Sequence, residues 1–126
     1  MTVVLDTSVL IDHLRGRAEA QQAMADAVRR GEVLAASVLC RTEILAGMRS
    51  TEEEATHALL AGLDWIPVTI DIADRAGAWA RRFLRSHPGI DPVDYVIAAT
   101  TATVGGRLWT CNVKHFPMFA DLTAPY

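Results

Sequence analysis

The chain is poor in cysteine, holds a single lysine, Lys114, and has no long apolar run. Cys40 and Cys111 are far apart and form no C-x-x-C pair, which excludes a disulfide framework and a zinc knuckle; two buried free thiols are the expectation. His13, His57, His87 and His115 show no zinc-ligand spacing either. No apolar stretch approaches the roughly 20 residues of a membrane span. The first strand follows Met1 with no basic segment and no longer apolar one, so no secretory signal is read, and a cytoplasmic protein without a membrane role is expected. Repeats, low-complexity tracts and Pro/Gly/Ser linkers are missing, so residues 1–126 are expected to form a single domain that buries roughly two thirds of its unfolded surface. Positive charge is in short supply, with 12 Lys and Arg against 15 Asp and Glu and a pI near 5.7. That balance argues against broad coating of nucleic acid, while a nucleic-acid substrate at a local site stays compatible.

What the chain does have is 51% apolar residues and a clear alternation of strand and helix signals. Val3-Val4-Leu5 is a continuous apolar strand that ends in Asp6-Thr7-Ser8. Such runs belong to parallel sheets covered on both faces, where ligands collect beyond the carboxyl ends of the strands. A short helix to about Arg15 follows, then one from Ala18 to Arg30 closed by Gly31. Val33 to Ala36 reads as a strand, and Ser37 as the cap of a helix through Glu43 to Met48. Thr51 caps an acid-led helix reaching about Leu60, and Trp65 to Val68 is a strand whose Pro67 suits a sheet edge. Asp71 to about Ser86 has helical spacing, with Trp79 and Phe83 read as core. Asp91-Pro92-Val93-Asp94 starts a helix with Asp at the N-cap and Pro at N1; Gly105-Gly106 stops it, Arg107 to Thr110 is a strand, and Lys114 to Pro117 a turn. The order predicts an α/β protein, a three-layer α/β/α sandwich with a mainly parallel sheet.

Three acids fall where a solubility role is hard to supply: Asp6 ends a buried strand, Glu43 lies in a mostly apolar helix, and Asp94 shares a helix face with Ile97, Ala98 and Thr101. An unpartnered buried carboxylate is expensive. Each acid therefore has its own donor, or the three share a cation, for which Mg²⁺ with its oxygen ligands and retained waters is suited. For Asp6 the competing role is helix capping together with Thr7 or Ser8.

The motifs V-V-L-D-T-S-V-L-I, T-E-I-L-A-G around Glu43, D-Y-V-I-A-A-T from Asp94 to Thr100 and L-W-T-C-N-V-K-H-F from Leu108 to Phe116 together resemble the PIN-domain nucleases. Within that family the chain is most similar to the VapC-type ribonuclease toxins of bacterial toxin-antitoxin pairs. The resemblance runs from Val3 to about Phe119 and rests on four motifs in the right order and spacing. It implies that Asp6, Glu43 and Asp94 hold Mg²⁺ or Mn²⁺, with Thr7 or Ser8 and Asn112 beside the metal as hydrogen-bonding groups. Some members carry an acid at the position of Asn112, which leaves a second metal position open; Asp91 could substitute, although N-cap duty is its simpler role. The implied reaction is metal-assisted hydrolysis of an RNA phosphodiester, in which Asp6 and Asp94 are ligands and Glu43 is a ligand or orients the water.

An acidic pocket repels RNA, so basic residues should steer it, with Arg15, Arg17, Arg81, Arg82 and Arg85 as candidates; a solvated helix face is the plainer role for each cluster. The resemblance also implies a cognate VapB-like antitoxin, DNA contact only through that antitoxin, and a homodimer, heterotetramer or higher complex, with the antitoxin covering apolar surface near the second and third helices. A different function with the same fold is a binding module that acts mainly with its antitoxin as a DNA-binding repressor. A phosphate-accepting signalling domain would need an acidic pair near the first strand, and a D-x-D phosphatase a second aspartate after Asp6; neither is present.

Overall fold

The computed structural model describes residues 1–126. Strand β1 (Thr2–Leu5) lies inside a four-stranded sheet whose order is β3-β2-β1-β4, with every pairing parallel. Its neighbours are β2 (Val33–Ser37) and β4 (Arg107–Trp109), and β3 (Asp64–Ile66) forms the far edge. Val3, Val4 and Leu5 are fully buried, because a central parallel strand is covered on both faces and has no side for a polar residue. Alanine at 35 and 36 in β2 keeps the sheet thin, so helices approach it closely.

Helices α1 (Thr7–Leu14), α2 (Ala18–Arg29), α3 (Val38–Ala46) and α4 (Glu53–Ala61) pack among themselves, while α5 (Ile70–Phe83) pairs with α6 (Pro92–Val104), which also lies against β1, β2 and β4. This is the predicted three-layer sandwich. The main core joins β1 to Leu10, Met24, Cys40, Ile44, Leu60, Ile97 and Phe116, and a smaller one binds α5 to α6 through Ile72, Ala76, Ile90, Tyr95 and Ala99. Trp79 is core as expected, edge-on to Phe119 with ring centroids 5.9 Å apart.

Several boundaries differ from the sequence reading. Helix α5 starts at Ile70, because the Thr69 hydroxyl accepts the Ile72 N–H as its cap, and it stops at Phe83. A turn of 3₁₀ helix (Ser50–Glu52) precedes α4, and Glu52 rather than Thr51 supplies the capping contact, to the Arg49 N–H. Pro67 falls just beyond β3, on the edge as predicted. Helix α3 ends at Ala46, β4 at Trp109, and the expected turn at Lys114 is a short 3₁₀ helix, Val113–His115.

Gly105 adopts φ 65° at the end of α6, a conformation costly for other residues. At Gly106 a β-carbon would stand 2.8 Å from the Thr2 carbonyl oxygen, so only glycine lets the chain enter β4 this close to β1.

Candidate functional site

The carboxyl ends of β1 and β4 meet at Asp6, whose residue is 3% exposed. Asp6 occupies the N-cap position of α1, yet its side chain makes no capping bond. Its Oδ2 instead accepts the Ser8 hydroxyl at 2.9 Å and the Thr110 hydroxyl at 2.7 Å, and Oδ1 accepts no hydrogen bond from the protein. The capping role is therefore excluded, and one carboxylate oxygen is left for another partner.

Asp94, at the third position of α6, repeats the pattern. Its Oδ2 faces His115 Nδ1 at 3.0 Å and the Asp91 N–H at 3.4 Å, while Oδ1 accepts nothing. Burial pushes the Asp94 carboxyl above its usual range, the negative charge of Asp6 pushes the same way, and His115 pulls back. The Asp6 charge is thus close enough to act on the Asp94 carboxyl. Asp91 is the N-cap, its Oδ1 accepting the Val93 N–H at 2.7 Å, and it stays exposed.

Glu43 lies in α3 as read, but it is exposed, so the premise that a solvated position is hard to supply there does not hold. It is joined to the site through Thr7, whose hydroxyl donates to Glu43 Oε1 at 2.7 Å. Cys40, one turn earlier on the buried side, lies beneath both: burial pushes its thiol up to about 12, with further contributions from Asp6 and Glu43. Thr7 and Ser8 thus serve different acids. Asn112 is exposed and its side chain bonds to nothing; its N–H holds the Thr110 hydroxyl at 2.9 Å. Thr110 and His115 were not singled out from the sequence as site residues, although both lie in the closing motif and Thr110 directly follows the strand beside β1.

No three His, Cys, Asp or Glu side chains stand close enough to share one ion. The Asp6 charge reaches Asp94, while Glu43 is held by the hydroxyl of Thr7, the residue after Asp6. The donor set fits a hard divalent cation: two interacting carboxylates with one free oxygen each, and no Lys or Arg ion pair to neutralise them. Mg²⁺ needs only one or two direct carboxylates and fills the rest with waters and phosphate oxygens.

The steering arginines divide. Arg15 is exposed, with no ion pair, at the rim of a hollow of about 180 Å³ that also includes Glu43, Ile11, Leu14, Ile44 and Met48. Arg17 is engaged elsewhere, in ion pairs with Asp12 at 3.1 Å and Glu19 at 3.4 Å, which removes it from the free rim. Arg81, Arg82 and Arg85 are exposed at the end of α5, with Arg82 lying over the Phe83 ring. Cys111 is exposed, against the expectation of two buried thiols, because it belongs to the loop after β4.

The chain belongs to the PIN domain family, which it matches over residues 3–119. It is 49% identical over 123 residues to ribonuclease VapC19 of Mycobacterium tuberculosis, covering 98% of each chain. Among solved structures it resembles a toxin-antitoxin complex from Klebsiella pneumoniae, with a TM-score of 0.80 and 27% identity over 98% of both chains. A VapBC2 structure from Rickettsia felis bound to a promoter DNA fragment shares the fold, with a TM-score of 0.84 at 16% identity, covering 98% of this chain and 97% of the other.

Proposed function

We propose that the chain is a divalent-metal-dependent endoribonuclease, the toxin of a toxin-antitoxin pair, built as one PIN-like unit over residues 1–126. The ribonuclease activity is supported by near full-length identity to a named ribonuclease. The observation that carries the chemistry is that the Asp6 charge acts on Asp94 and each acid keeps one unengaged oxygen. Asp6 and Asp94 would hold Mg²⁺ or Mn²⁺. Such an ion lowers the pKa of a bound water and stabilises charge on the attacked phosphate. Ser8 and Thr110 fix the Asp6 carboxylate, His115 and the Asp91 N–H fix that of Asp94, and Thr7 keeps Glu43 in place to orient water from the open side.

The partner is an antitoxin, and the hollow beside Glu43, walled by Ile11, Leu14, Ile44 and Met48, suits an apolar segment of it. DNA is reached through the antitoxin. A dimer is expected in solution, and a monodisperse monomer in light scattering at micromolar concentration counts against it. No helix is long and apolar enough to cross a membrane, and a cytoplasmic location suits an RNA substrate. The deciding experiment incubates purified protein with total RNA, with Mg²⁺, Mn²⁺ or chelator, beside Asp6→Asn. Cleavage that persists in chelator or survives the substitution overturns the reading.

A further inference from the structure

Beyond the acids, a second polar cluster lies on the other side of the loop after β4. Asp12 Oδ2 accepts the Tyr126 hydroxyl at 2.6 Å, Arg17 Nη1 at 3.1 Å and the Cys111 thiol at 3.4 Å. The Cys111 sulfur is also 3.3 Å from the Tyr126 oxygen, and the Arg17 guanidinium lies over the Tyr126 ring, 4.9 Å from its centroid. Three parts of the chain that are distant in sequence converge here, around the side chain of Cys111.

The backbone of the same residue reaches the site. The Cys111 N–H donates to Ser8 Oγ at 3.1 Å, and the Ser8 hydroxyl donates to Asp6 Oδ2 at 2.9 Å. On either side of it, Thr110 donates to the same Asp6 oxygen and the Asn112 N–H holds the Thr110 hydroxyl. Both hydrogen bonds to the Asp6 carboxylate are thus tied to residues 110–112, since Thr110 makes one and the Cys111 N–H holds the donor of the other. Thr110 is buried, whereas Cys111 and Asn112 are exposed and their side chains have only the contacts just named.

We propose that Tyr126, Asp12 and Arg17 form a clamp that positions Asp6 for RNA cleavage through Cys111 and Ser8. They are positioning residues that touch neither substrate nor metal. The clamp rests on the reading of Asp6 as a metal ligand. Its physical basis is that an outer hydrogen-bond partner fixes a ligand's orientation, and a small misplacement of a reacting group is costly in rate.

Tyr126→Phe tests this cleanly, because it removes the hydroxyl and leaves the ring over Arg17. The expected result is a fall of about tenfold in kcat with KM little changed. Mn²⁺ affinity of the RNA-free protein, measured by calorimetry, should weaken by about tenfold as well. Coupling separates a relay from loss of general stability: added to Ser8→Ala, Tyr126→Phe should have little further effect, since both cut the same path. Unchanged kcat and Mn²⁺ affinity in Tyr126→Phe, or full additivity with Ser8→Ala, overturns the clamp alone, provided that Asp6→Asn abolishes cleavage in the same assay. Cleavage that survives Asp6→Asn overturns the reading of Asp6 and the clamp with it.

Discussion

Asp6 and Asp12 stand at the entrance and towards the far end of the same helix, α1, and the chain treats them in opposite ways. Asp12 is surrounded by donors, with the Tyr126 hydroxyl, the Cys111 thiol and the Arg17 guanidinium all on one oxygen. The Tyr126 hydrogen bond in particular holds the Asp12 carboxyl below its usual range, against the opposing effect of burial. Asp6 is the more deeply buried of the two and has no cation; its charge acts on another acid, Asp94, whose carboxyl is raised by burial and by Asp6. A carboxylate whose donors are all in place belongs to the architecture. One that keeps an oxygen unengaged, near a like charge, has the character the proposed metal site requires.

The largest expected effect comes from removing the charge of Asp6. Asp6→Asn should reduce RNA cleavage at least about a hundredfold, to background. It should also raise the melting temperature of the metal-free protein. Like charges a few ångströms apart repel by about 3 kcal/mol at an effective dielectric near 20, part of which Asp94 escapes by taking up a proton. A melting temperature that falls instead would make Asp6 a second Asp12. Next in size is the metal. Mn²⁺ at a hundred times its dissociation constant should stabilise the native state by about 2.7 kcal/mol. That gain should vanish in Asp6→Asn, and at the same Mn²⁺ concentration it should shrink to about 1.4 kcal/mol in Asp12→Asn, which loosens the clamp without removing the ligand, as thermal melts with chelator or metal will show.

The pH dependence sharpens the contrast. The raised Asp94 carboxyl contributes stability that is fully present below its unfolded pKa, about 4, and is lost as pH rises through the raised folded value. The depressed Asp12 carboxyl contributes stability that is present above about pH 4 and is lost as pH falls through the depressed folded value. Denaturant melts of the metal-free protein across the acid range should therefore lose their decline with rising pH in Asp94→Asn, and part of their acid loss in Asp12→Asn. The smallest effect is Asp12→Ala at neutral pH, about 1 kcal/mol once part exposure is allowed for.

The two regions were also unequally legible. Asp6 announces itself, because a carboxylate that follows three buried apolar residues has no ordinary reason to be there. Asp94 is legible as part of an N-terminal helix pattern and through its resemblance to a family motif. Glu43 is legible as a member of α3 but its exposure is not: α3 is short and apolar on several sides, so periodicity cannot say which side meets solvent. The sandwich followed from strand and helix alternation, and the edge position of β3 from Pro67. Helix starts went astray where a hydroxyl or carboxylate cap outside the apolar pattern decided them, as Thr69 did. The Asp12 cluster left no trace in periodicity or spacing, since its members come together only through the fold: Tyr126 and Asp12 are 114 positions apart. The ion pair of Arg17 with Asp12 is hidden in the sequence for the same reason.

The clasp on Asp6 spans 104 positions, from the end of the first strand to the end of the fourth. Strand β4 can settle beside β1 only through the glycine that passes the Thr2 carbonyl. During synthesis, a chain made only as far as Gly106 already contains all three acids and the hydroxyls of Thr7 and Ser8. It lacks Thr110, the Cys111 N–H and His115, and so keeps only the Ser8 hydroxyl on Asp6 and has no counter-group for Asp94. The observed setting of Asp6 and Asp94 is therefore complete only once residues 107–115 have docked beside β1.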